Sequence, residues 1–341
     1  MLPTTIGSLP QSSAVEAVDL ILRFTPEIPA WPQLPGLGFS HSMCVQCAHD
    51  LPGVIADDVA KVVRMDLSDV PAKELEEYYS RLLAGDPERF AADETHFPGL
   101  FELSRRREAL RKALAVKGQL AGPVSIGLQT LTREKTPILY QGTEMELLLK
   151  SLRLKAQWHE NFLKRCNPNT ILFLDEPSMS LVGSPCVTIQ KDIAVSYIDE
   201  VLSGLSGIKG VHCCGNTDWG ALLETRTDVL SFDAYDWVHT LALYPSHVES
   251  FLSRGGKLAW GIIPTIDERI ERENIESLMT RFQEGLTQLT SKGIDLDVIL
   301  TSSFITPACG LGLTSAADAL KALGFTKELS RRLRKEYNLE G

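Results

Sequence analysis

The sequence predicts a single α/β domain over residues 1–341, folded as a parallel (β/α)8 barrel. Eight short apolar runs have the length of β-strands, and amphipathic segments of helical length lie between most of them. Nearly every apolar run ends in polar, glycine or proline residues. Alternating strands and helices are typical of a parallel sheet, and a barrel of eight such units commonly occupies a chain of this size.

The elements follow one another without a low-complexity tract or a short repeat. The strand-like runs are residues 4–9, 43–48, 118–123, 171–177, 210–215, 229–235, 258–264 and 298–307. The segments with apolar residues at helical spacing are residues 14–24, 73–83, 103–115, 144–165, 192–205 and 275–292. Residues 26–38 are rich in proline and glycine and are predicted to form an ordered loop.

The ends of the strand-like runs predict the position of a functional site. They contain Ser8, the Asp175-Glu176-Pro177 segment, His212 with its neighbouring cysteines, and Cys309. In a parallel barrel the carboxyl ends of all strands meet at one face, which is where the active sites of such barrels lie. A ring of such residues is therefore interpreted as one site.

Composition narrows the class of function. The chain has a net charge of −10, and its basic and acidic residues are interspersed, so a nucleic-acid surface is not expected. The basic cluster at residues 105–107, 111 and 112 has helical spacing and is interpreted as a solvated helix face. No apolar run reaches the length of a membrane span. Without a secretory leader, and with seven irregularly spaced cysteines, a reducing cytoplasm is the expected location.

A histidine and two cysteines form the strongest chemical pattern. His212 and Cys214 alternate on a predicted strand, so their side chains leave the same face. With Cys309, at the end of the last run, they could bind zinc and leave one coordination position open, as catalytic zinc sites do. Asp233, which ends the sixth run and has Asp236 as a neighbour, is a candidate further ligand. The alternative is that the cysteines are small buried residues and His212 is satisfied by hydrogen bonds.

The remaining cysteines are weaker evidence for a functional site, and several common motifs are absent. Cys44 and Cys47 form a C-x-x-C pair, but it lies in a strand-like run and not at the helix start that redox motifs use. Cys213 points away from its two neighbours and is predicted to be a packing residue. The sequence contains no dinucleotide-binding glycine motif after a strand, no P-loop and no G-x-S-x-G elbow.

Several motifs resemble the catalytic barrel of cobalamin-independent methionine synthases. The resemblance lies in residues 2–10 (LPTTIGSLP), residues 120–125 (LAGPVS), residues 174–177 (LDEP), the His212-x-Cys214 pair and residues 308–311 (ACGL). These matches occur in the family's order and span the chain. They imply a short, "core" methionine synthase without an N-terminal barrel. The wider superfamily includes uroporphyrinogen decarboxylases and methylcobamide:thiol methyltransferases.

The resemblance implies a role for each matched residue. His212, Cys214 and Cys309 would bind Zn²⁺, and Asp233 stands where the family has a glutamate. Homocysteine would bind zinc as a thiolate, which is a strong nucleophile at neutral pH. The backbone of Ile6, Gly7 and Ser8 would hold the carboxylate of homocysteine, and Asp175 its ammonium group. A second acid that binds the amino acid in the family has Asp50 as its best candidate here.

A departure from the family predicts the methyl donor. The family's folate-using enzymes have a histidine at the end of strand seven, whereas residues 259–265 contain none. A methyl group that leaves a folate amine needs a general acid, but one that leaves a methylated corrinoid such as methylcobalamin does not. A corrinoid donor is therefore expected. Because no D-x-H-x-x-G cobalamin-binding motif is present, the corrinoid would arrive free or on another protein.

The sequence thus predicts a zinc-dependent methyltransferase that converts homocysteine to methionine. Three alternatives stay open: transfer of the methyl group to another thiol, a uroporphyrinogen decarboxylase-like activity, and a barrel that carries a corrinoid or a metal without catalysis. Against the decarboxylase, its arginine-rich N-terminal motif is missing and the metal ligands would be unexplained. The sequence does not predict an oligomeric state.

Overall fold

The computed structural model describes residues 1–339, in which strands and helices alternate. The ten β-strands of these residues are β1 (Leu2–Pro3), β2 (Val54–Asp57), β3 (Val62–Met65), β4 (Val116–Ala121), β5 (Thr130–Leu131), β6 (Thr170–Asp175), β7 (Ile208–Cys213), β8 (Val229–Phe232), β9 (Lys257–Ile263) and β10 (Ser303–Pro307). The fifteen α-helices of the same residues are α1 (Ala14–Phe24), α2 (Met43–Ala48), α3 (Ala72–Ala84), α4 (Pro98–Arg105), α5 (Arg107–Lys112), α6 (Pro123–Gln129), α7 (Gly142–Lys164), α8 (Lys191–Leu202), α9 (Trp219–Glu224), α10 (Ala234–Leu241), α11 (Pro245–Ser253), α12 (Asp267–Arg272), α13 (Ile275–Thr290), α14 (Leu296–Thr301) and α15 (Ala316–Glu336).

Seven strands form one curled parallel sheet. Its order is β1-β10-β9-β8-β7-β6-β4, and each neighbouring pair is parallel. Strands β2, β3 and β5 form a separate small sheet. The predicted α/β class and parallel sheet are therefore present. The sheet of residues 1–339 has seven strands, however, and not the eight of the predicted closed barrel.

An extended segment lies between the two edge strands, β1 and β4. The Trp31 N–H donates a hydrogen bond to the Lys117 carbonyl (3.2 Å), and the Gln33 N–H donates to the Gly7 carbonyl (3.2 Å). Pro32, between these two donors, has no N–H group with which to extend the pairing. The segment thus contacts both edges of the sheet through isolated bridges and does not form a regular strand.

The predicted second strand, residues 43–48, is wrong: these residues form helix α2. Residues 44–48 are all buried, so the segment shows no alternation of buried and exposed residues that would identify its secondary structure. Hydrophobic periodicity does not separate a short buried strand from a short buried helix, which explains the error. The first and last predicted strands are also misplaced. Residues 4–9 form only an isolated bridge at Ser8, and the first strand, Leu2–Pro3, lies before them. Residues 298–307 divide between α14 and β10.

The core of the sheet is aromatic on the side of β8 and β9. The Trp260 ring lies 5.6 Å from that of Phe232 and 4.9 Å from that of Phe282 on α13, and all three are fully buried. Burial of each such side chain contributes roughly 2–3 kcal/mol.

Long helices cover the outside of the sheet, with α7 against β4 and β6 and α15 against β10. No helix of residues 1–339 combines the length and the hydropathy that crossing a bilayer requires.

Candidate metal centre

The ends of β7 and β10 bring one histidine and two cysteines together. His212 lies on β7, Cys214 directly follows that strand, and Cys309 lies just beyond β10. One nitrogen of His212 and the two sulfur atoms all lie within 4.8 Å of one another. His212 is buried, and both cysteines are partly buried. Side chains carried by two strands that are not neighbours in the sheet thus lie close together.

The orientation of the His212 ring is fixed by the adjacent strand. Ser231 on β8 is its register partner, and the Ser231 hydroxyl lies 2.9 Å from Nδ1 of the ring. The other nitrogen, Nε2, is buried and has no hydrogen-bond partner among the described residues. A buried nitrogen without a partner is costly, unless it binds a cation or a water molecule. Its position beside two sulfur atoms suits a metal ligand.

The two thiols are placed where a cation would change their ionisation. The neighbouring Cys214 thiol, together with burial, raises the pKa of Cys309 far above its ordinary value, and His212 opposes this shift. Without a cation the Cys309 thiol therefore stays protonated at neutral pH. A zinc ion favours thiolates strongly enough to deprotonate coordinating cysteines. Two sulfurs and an orphaned imidazole nitrogen are a donor set that fits zinc and leaves a fourth position open.

Asp233 lies close to the cluster but outside it. It precedes α10, and its carboxylate accepts a hydrogen bond from the Asp236 N–H (2.9 Å), which makes it the cap of that helix. Burial raises the pKa of Asp233 to about 6. Its oxygens are not among the ligand atoms grouped within 4.8 Å. Asp236, the other acid considered, forms an ion pair with Arg269 (2.6 Å).

The cluster opens into a pocket of about 280 Å³. The pocket contains residues from the beginning of the chain, from the ends of β6, β7 and β10, and from the segment before α2. These residues are Ile6, Ser8, Gln33, Pro35, His41, Ser42, Met43, Asp175, Pro177, His212, Cys214, Cys309, Gly310, Gly312 and Leu313. Most of the predicted substrate-binding residues thus lie around the same cavity as the predicted ligands. A larger depression beside residues 105–112 lies elsewhere, and its lining combines apolar side chains with several ion-paired ones.

Asp175 lines this pocket, and one of its carboxyl oxygens is unpaired. It ends β6, opposite His212 in the register of the sheet, and its Oδ1 is buried without a hydrogen-bond partner among the described residues. Burial raises the pKa of Asp175, whereas His212 and Lys117 act in the opposite direction. A cationic group in the pocket would satisfy this oxygen and favour the ionised form.

Contacts with strand β4 and with the loop after β10 hold the Ile6–Ser8 backbone in place. The fully buried Lys117 donates a hydrogen bond from Nζ to the Ile6 carbonyl (2.7 Å). Gly7 has φ of 154°, and a Cβ at this position would lie 2.5 Å from the Gln119 side chain. Ser8 accepts a hydrogen bond from the Gly312 N–H (3.2 Å), which links it to the loop after β10. This wall of the pocket is therefore rigid, and only glycine fits at position 7.

The structure does not bring Asp50 to the pocket. Its carboxylate forms an ion pair with Lys155, which also donates a hydrogen bond to the Cys47 carbonyl (2.7 Å). Asp50 and Lys155 line a separate small cavity together with His159. The position of Asp50 therefore indicates a structural role.

The C-x-x-C pair lies at the start of helix α2, contrary to the interpretation of the sequence. Both thiols are buried, and burial raises the pKa of Cys47 to about 11 and that of Cys44 higher still. Redox-active cysteines need a lowered pKa, so this pair is not suited to thiol exchange. Cys213 is completely buried, as expected of a packing residue.

Comparison with known proteins gives a fold relationship and no sequence relationship. The sequence matches no protein-family model and no curated protein. It is similar in structure to a methyltransferase from Methanosarcina mazei, with a TM-score of 0.52, 13% identity, and coverage of 96% of this chain and 94% of that one. It is also similar to a Listeria monocytogenes protein assigned as a vitamin-B12 independent methionine synthase, with a TM-score of 0.57, 14% identity, and coverage of 94% and 85%. At these identities the likeness shows the fold.

Three features of the pocket were not predicted from the sequence. Ser231 looked like an ordinary strand residue, and Lys117 like the edge of an apolar run. His41 lies in the pocket wall, and its Nδ1 is buried without a partner among the described residues. Burial lowers the pKa of His41. The pocket thus contains a histidine besides His212, although it comes from the segment before α2 and not from β9.

Proposed function

We propose that the chain is a zinc-dependent methyltransferase that transfers a methyl group to the thiolate of homocysteine and yields methionine. The proposal rests on one observation: a His-Cys-Cys cluster and the unpaired carboxyl of Asp175 line the same pocket. The two structural neighbours, one a methyltransferase and the other assigned as a methionine synthase, support the reaction class.

Different residues of the chain would bind the two ends of the substrate. A zinc ion bound by His212, Cys214 and Cys309 would supply the Lewis acidity that lowers the pKa of a thiol. Asp175 would accept hydrogen bonds from the substrate ammonium. The Ile6–Ser8 backbone, fixed by Lys117, would hold the substrate carboxylate. A plain thiol has no group for Asp175 to bind, which favours an amino acid over the alternative thiol acceptors.

A methylated corrinoid is proposed as the donor. In the transfer a carbon–sulfur bond forms while the cobalt–carbon bond breaks, and the electron pair of that bond stays with the corrinoid. The substrate thiol loses its proton to solvent, so no general acid is required for the leaving group. Strand β9 and the residue that follows it contain no histidine, which agrees with such a donor.

The test is a donor assay with matched cysteine variants. Purified protein with homocysteine is expected to form methionine from methylcobalamin and not from methyltetrahydrofolate. Cys309→Ala should lose zinc, and its rate should fall by more than the roughly 10- to 100-fold that is typical when only an outer partner of a metal ligand is lost. Cys213→Ala, at a buried cysteine outside the cluster, is the control and should keep zinc. A Cys309→Ala protein with full activity would exclude the zinc mechanism.

His41 provides the test of the donor. His41→Gln removes the only other histidine of the pocket as described in residues 1–339. With a corrinoid donor the variant should transfer methyl groups at a rate within about twofold of the unmodified chain, because no proton is needed. Methionine formed from the folate, and lost in His41→Gln, would instead identify His41 as an acid for that donor and overturn the corrinoid proposal.

A further inference from the structure

Gln33 lines the pocket, although neither the sequence motifs nor the metal cluster gives it a role. Its N–H donates a hydrogen bond to the Gly7 carbonyl (3.2 Å), and its carbonyl accepts one from the Leu9 N–H (2.9 Å). Ser8 lies between these two residues, is bridged to Gln33 and also lines the pocket. Paired residues of neighbouring extended segments direct their side chains to the same face. The Gln33 side chain is therefore on the same face as that of Ser8, next to the Ile6–Ser8 backbone.

A chain of hydrogen bonds determines the orientation of the Gln33 amide. The His96 carbonyl only accepts hydrogen bonds, so the Gln46 amide directs its nitrogen at this carbonyl (2.6 Å). The Gln46 oxygen accepts a hydrogen bond in turn from the nitrogen of the Gln33 amide (3.1 Å). Because the nitrogen and the oxygen of an amide are distinguished by their partners, the backbone carbonyl at one end of the chain fixes the orientation of both side chains.

The oxygen of the Gln33 amide, Oε1, is a free acceptor. No group of residues 1–339 donates a hydrogen bond to it, since Gln33 is joined to its side-chain partner through nitrogen alone. The residue is only 7% exposed. A nearly buried carbonyl oxygen without a donor is costly unless water or a ligand supplies one. Because Gln33 lines the pocket, a ligand bound there can supply that donor.

Asp175 and Gln33 complement each other as acceptors for an ammonium group. Oδ1 of Asp175 is buried and unpaired, and the residue lines the same pocket. An ammonium group has three N–H donors, so one carboxylate oxygen satisfies only part of it. A neutral amide adds an acceptor without adding a second negative charge near two cysteines that would bind zinc as thiolates. We infer that Oε1 of Gln33 accepts a hydrogen bond from the substrate ammonium, the role for which the sequence suggested Asp50.

This inference rests on the proposed function and narrows its substrate class to thiols that carry a free amino group. Without an ammonium group in the pocket, the Asp175 carboxyl and the Gln33 oxygen both stay without a donor. A site built to hydrogen-bond a substrate group rejects an analogue that lacks the group, because the polar atoms of the site are then left unpaired. An N-acylated homocysteine is rejected for the same reason, since its amide nitrogen is uncharged and has a single N–H.

The experiment measures the binding of two thiols to the zinc-loaded full chain by isothermal titration calorimetry. The thiols are homocysteine and 4-sulfanylbutanoate, which is the same molecule without the amino group. Gln33→Met keeps the length of the side chain and removes the acceptor. It should weaken homocysteine binding by about 10- to 100-fold, the range for a hydrogen bond to a charged group, and leave the binding of 4-sulfanylbutanoate unchanged. Gln46→Met, which releases the Gln33 amide but keeps its oxygen, should weaken homocysteine binding less.

The control is Gln190→Met, at an exposed glutamine before α8, which should bind both thiols like the unmodified chain. Circular dichroism melting shows whether each variant is folded, and Gln33→Asn is the second variant should Gln33→Met not fold. Unchanged homocysteine binding in Gln33→Met, or equal weakening for both thiols, would overturn the role of Gln33 without contradicting the methyl transfer. A chain in which Gln33 confers the preference for homocysteine, but which forms no methionine from either donor, would support this inference and contradict the proposed function instead.

Discussion

The Ser231 hydroxyl lies 2.9 Å from Nδ1 of His212, and the two residues are register partners on adjacent parallel strands. This contact leaves Nε2 as the nitrogen that is free to bind a metal ion together with Cys214 and Cys309. A residue outside the described pocket lining therefore sets the direction of the imidazole lone pair.

Replacement of Ser231 should weaken metal binding without removing a ligand. Ser231→Ala is expected to lower zinc affinity by about 10- to 100-fold, the range found when a hydrogen-bond partner of a metal-bound histidine is lost. Competition with a chromophoric chelator measures the affinity. Ser303→Ala, at a buried strand serine that bonds to Trp260, is the control and should leave zinc affinity unchanged. Equal affinities in the two variants would refute the orienting role of Ser231.

His159 should make the protein sensitive to acid. It is fully buried, its Nε2 has no hydrogen-bond partner among the described residues, and burial lowers its pKa to about 3. The folded pKa is below the unfolded value of 6.5, so its contribution to stability is complete above about pH 6.5 and is lost as pH falls toward about 3. The loss is at most about 5 kcal/mol.

His159→Phe removes this titration and keeps an aromatic ring against Trp158 and Phe97. Urea unfolding at about pH 7 and about pH 4 should show a smaller loss of unfolding free energy in the variant than in the unmodified chain. The prediction fails if the two proteins lose the same amount between these pH values.

Gly261 should be intolerant of any side chain. A Cβ at this position on β9 would lie 2.6 Å from the Phe232 carbonyl oxygen and 2.7 Å from Cα of Ala308, which precedes Cys309. Both are backbone atoms and cannot rotate away. Gly261→Ala is expected to lower the unfolding free energy by about 1–3 kcal/mol, as overpacking does, and to weaken zinc binding. Gly142→Ala, where no atom lies within 4 Å, is the control for the loss of glycine.

Asp50 and Lys155 should behave as a structural pair. Asp50→Ala leaves the nearly buried Lys155 ammonium without its partner, and we expect a loss of roughly 2 kcal/mol, because Asp50 itself is partly exposed. Asp50→Leu with Lys155→Met should recover most of this loss. Chemical denaturation gives the free energies, and the KM for homocysteine should not change in an Asp50→Asn protein that stays folded. A selective rise in that KM would restore Asp50 to the substrate site.

The sequence predicted which residues at the ends of the strands would come together in the candidate site. His212 and Cys214 alternate on a strand, and Cys309 follows another, so a parallel sheet places all three at one edge. The Asp175 carboxyl reaches the same pocket for the same reason. Helices were predicted only in part: α1 begins and ends where its periodicity indicated, whereas α15, with 21 residues, lies outside every predicted helical segment.

Features that depend on tertiary contacts could not be predicted. Helix α2 is short and apolar, so its periodicity did not distinguish it from a strand. The Gln46 amide meets the His96 carbonyl only because α2 packs beside the segment before α4. Nothing in the sequence indicates that Lys155 forms an ion pair with Asp50, since the two residues are far apart in the chain.

Two strands, β8 and β9, stand between the strands that carry His212 and Cys309. The distance between these ligands therefore depends on the alignment of three successive strand pairings. A slip of one residue in any of them would move a strand end by about 3.3 Å and turn alternate side chains to the opposite face. If the cluster binds zinc as proposed, metal binding would also report on folding, because only a sheet with all three pairings aligned brings the three ligands together.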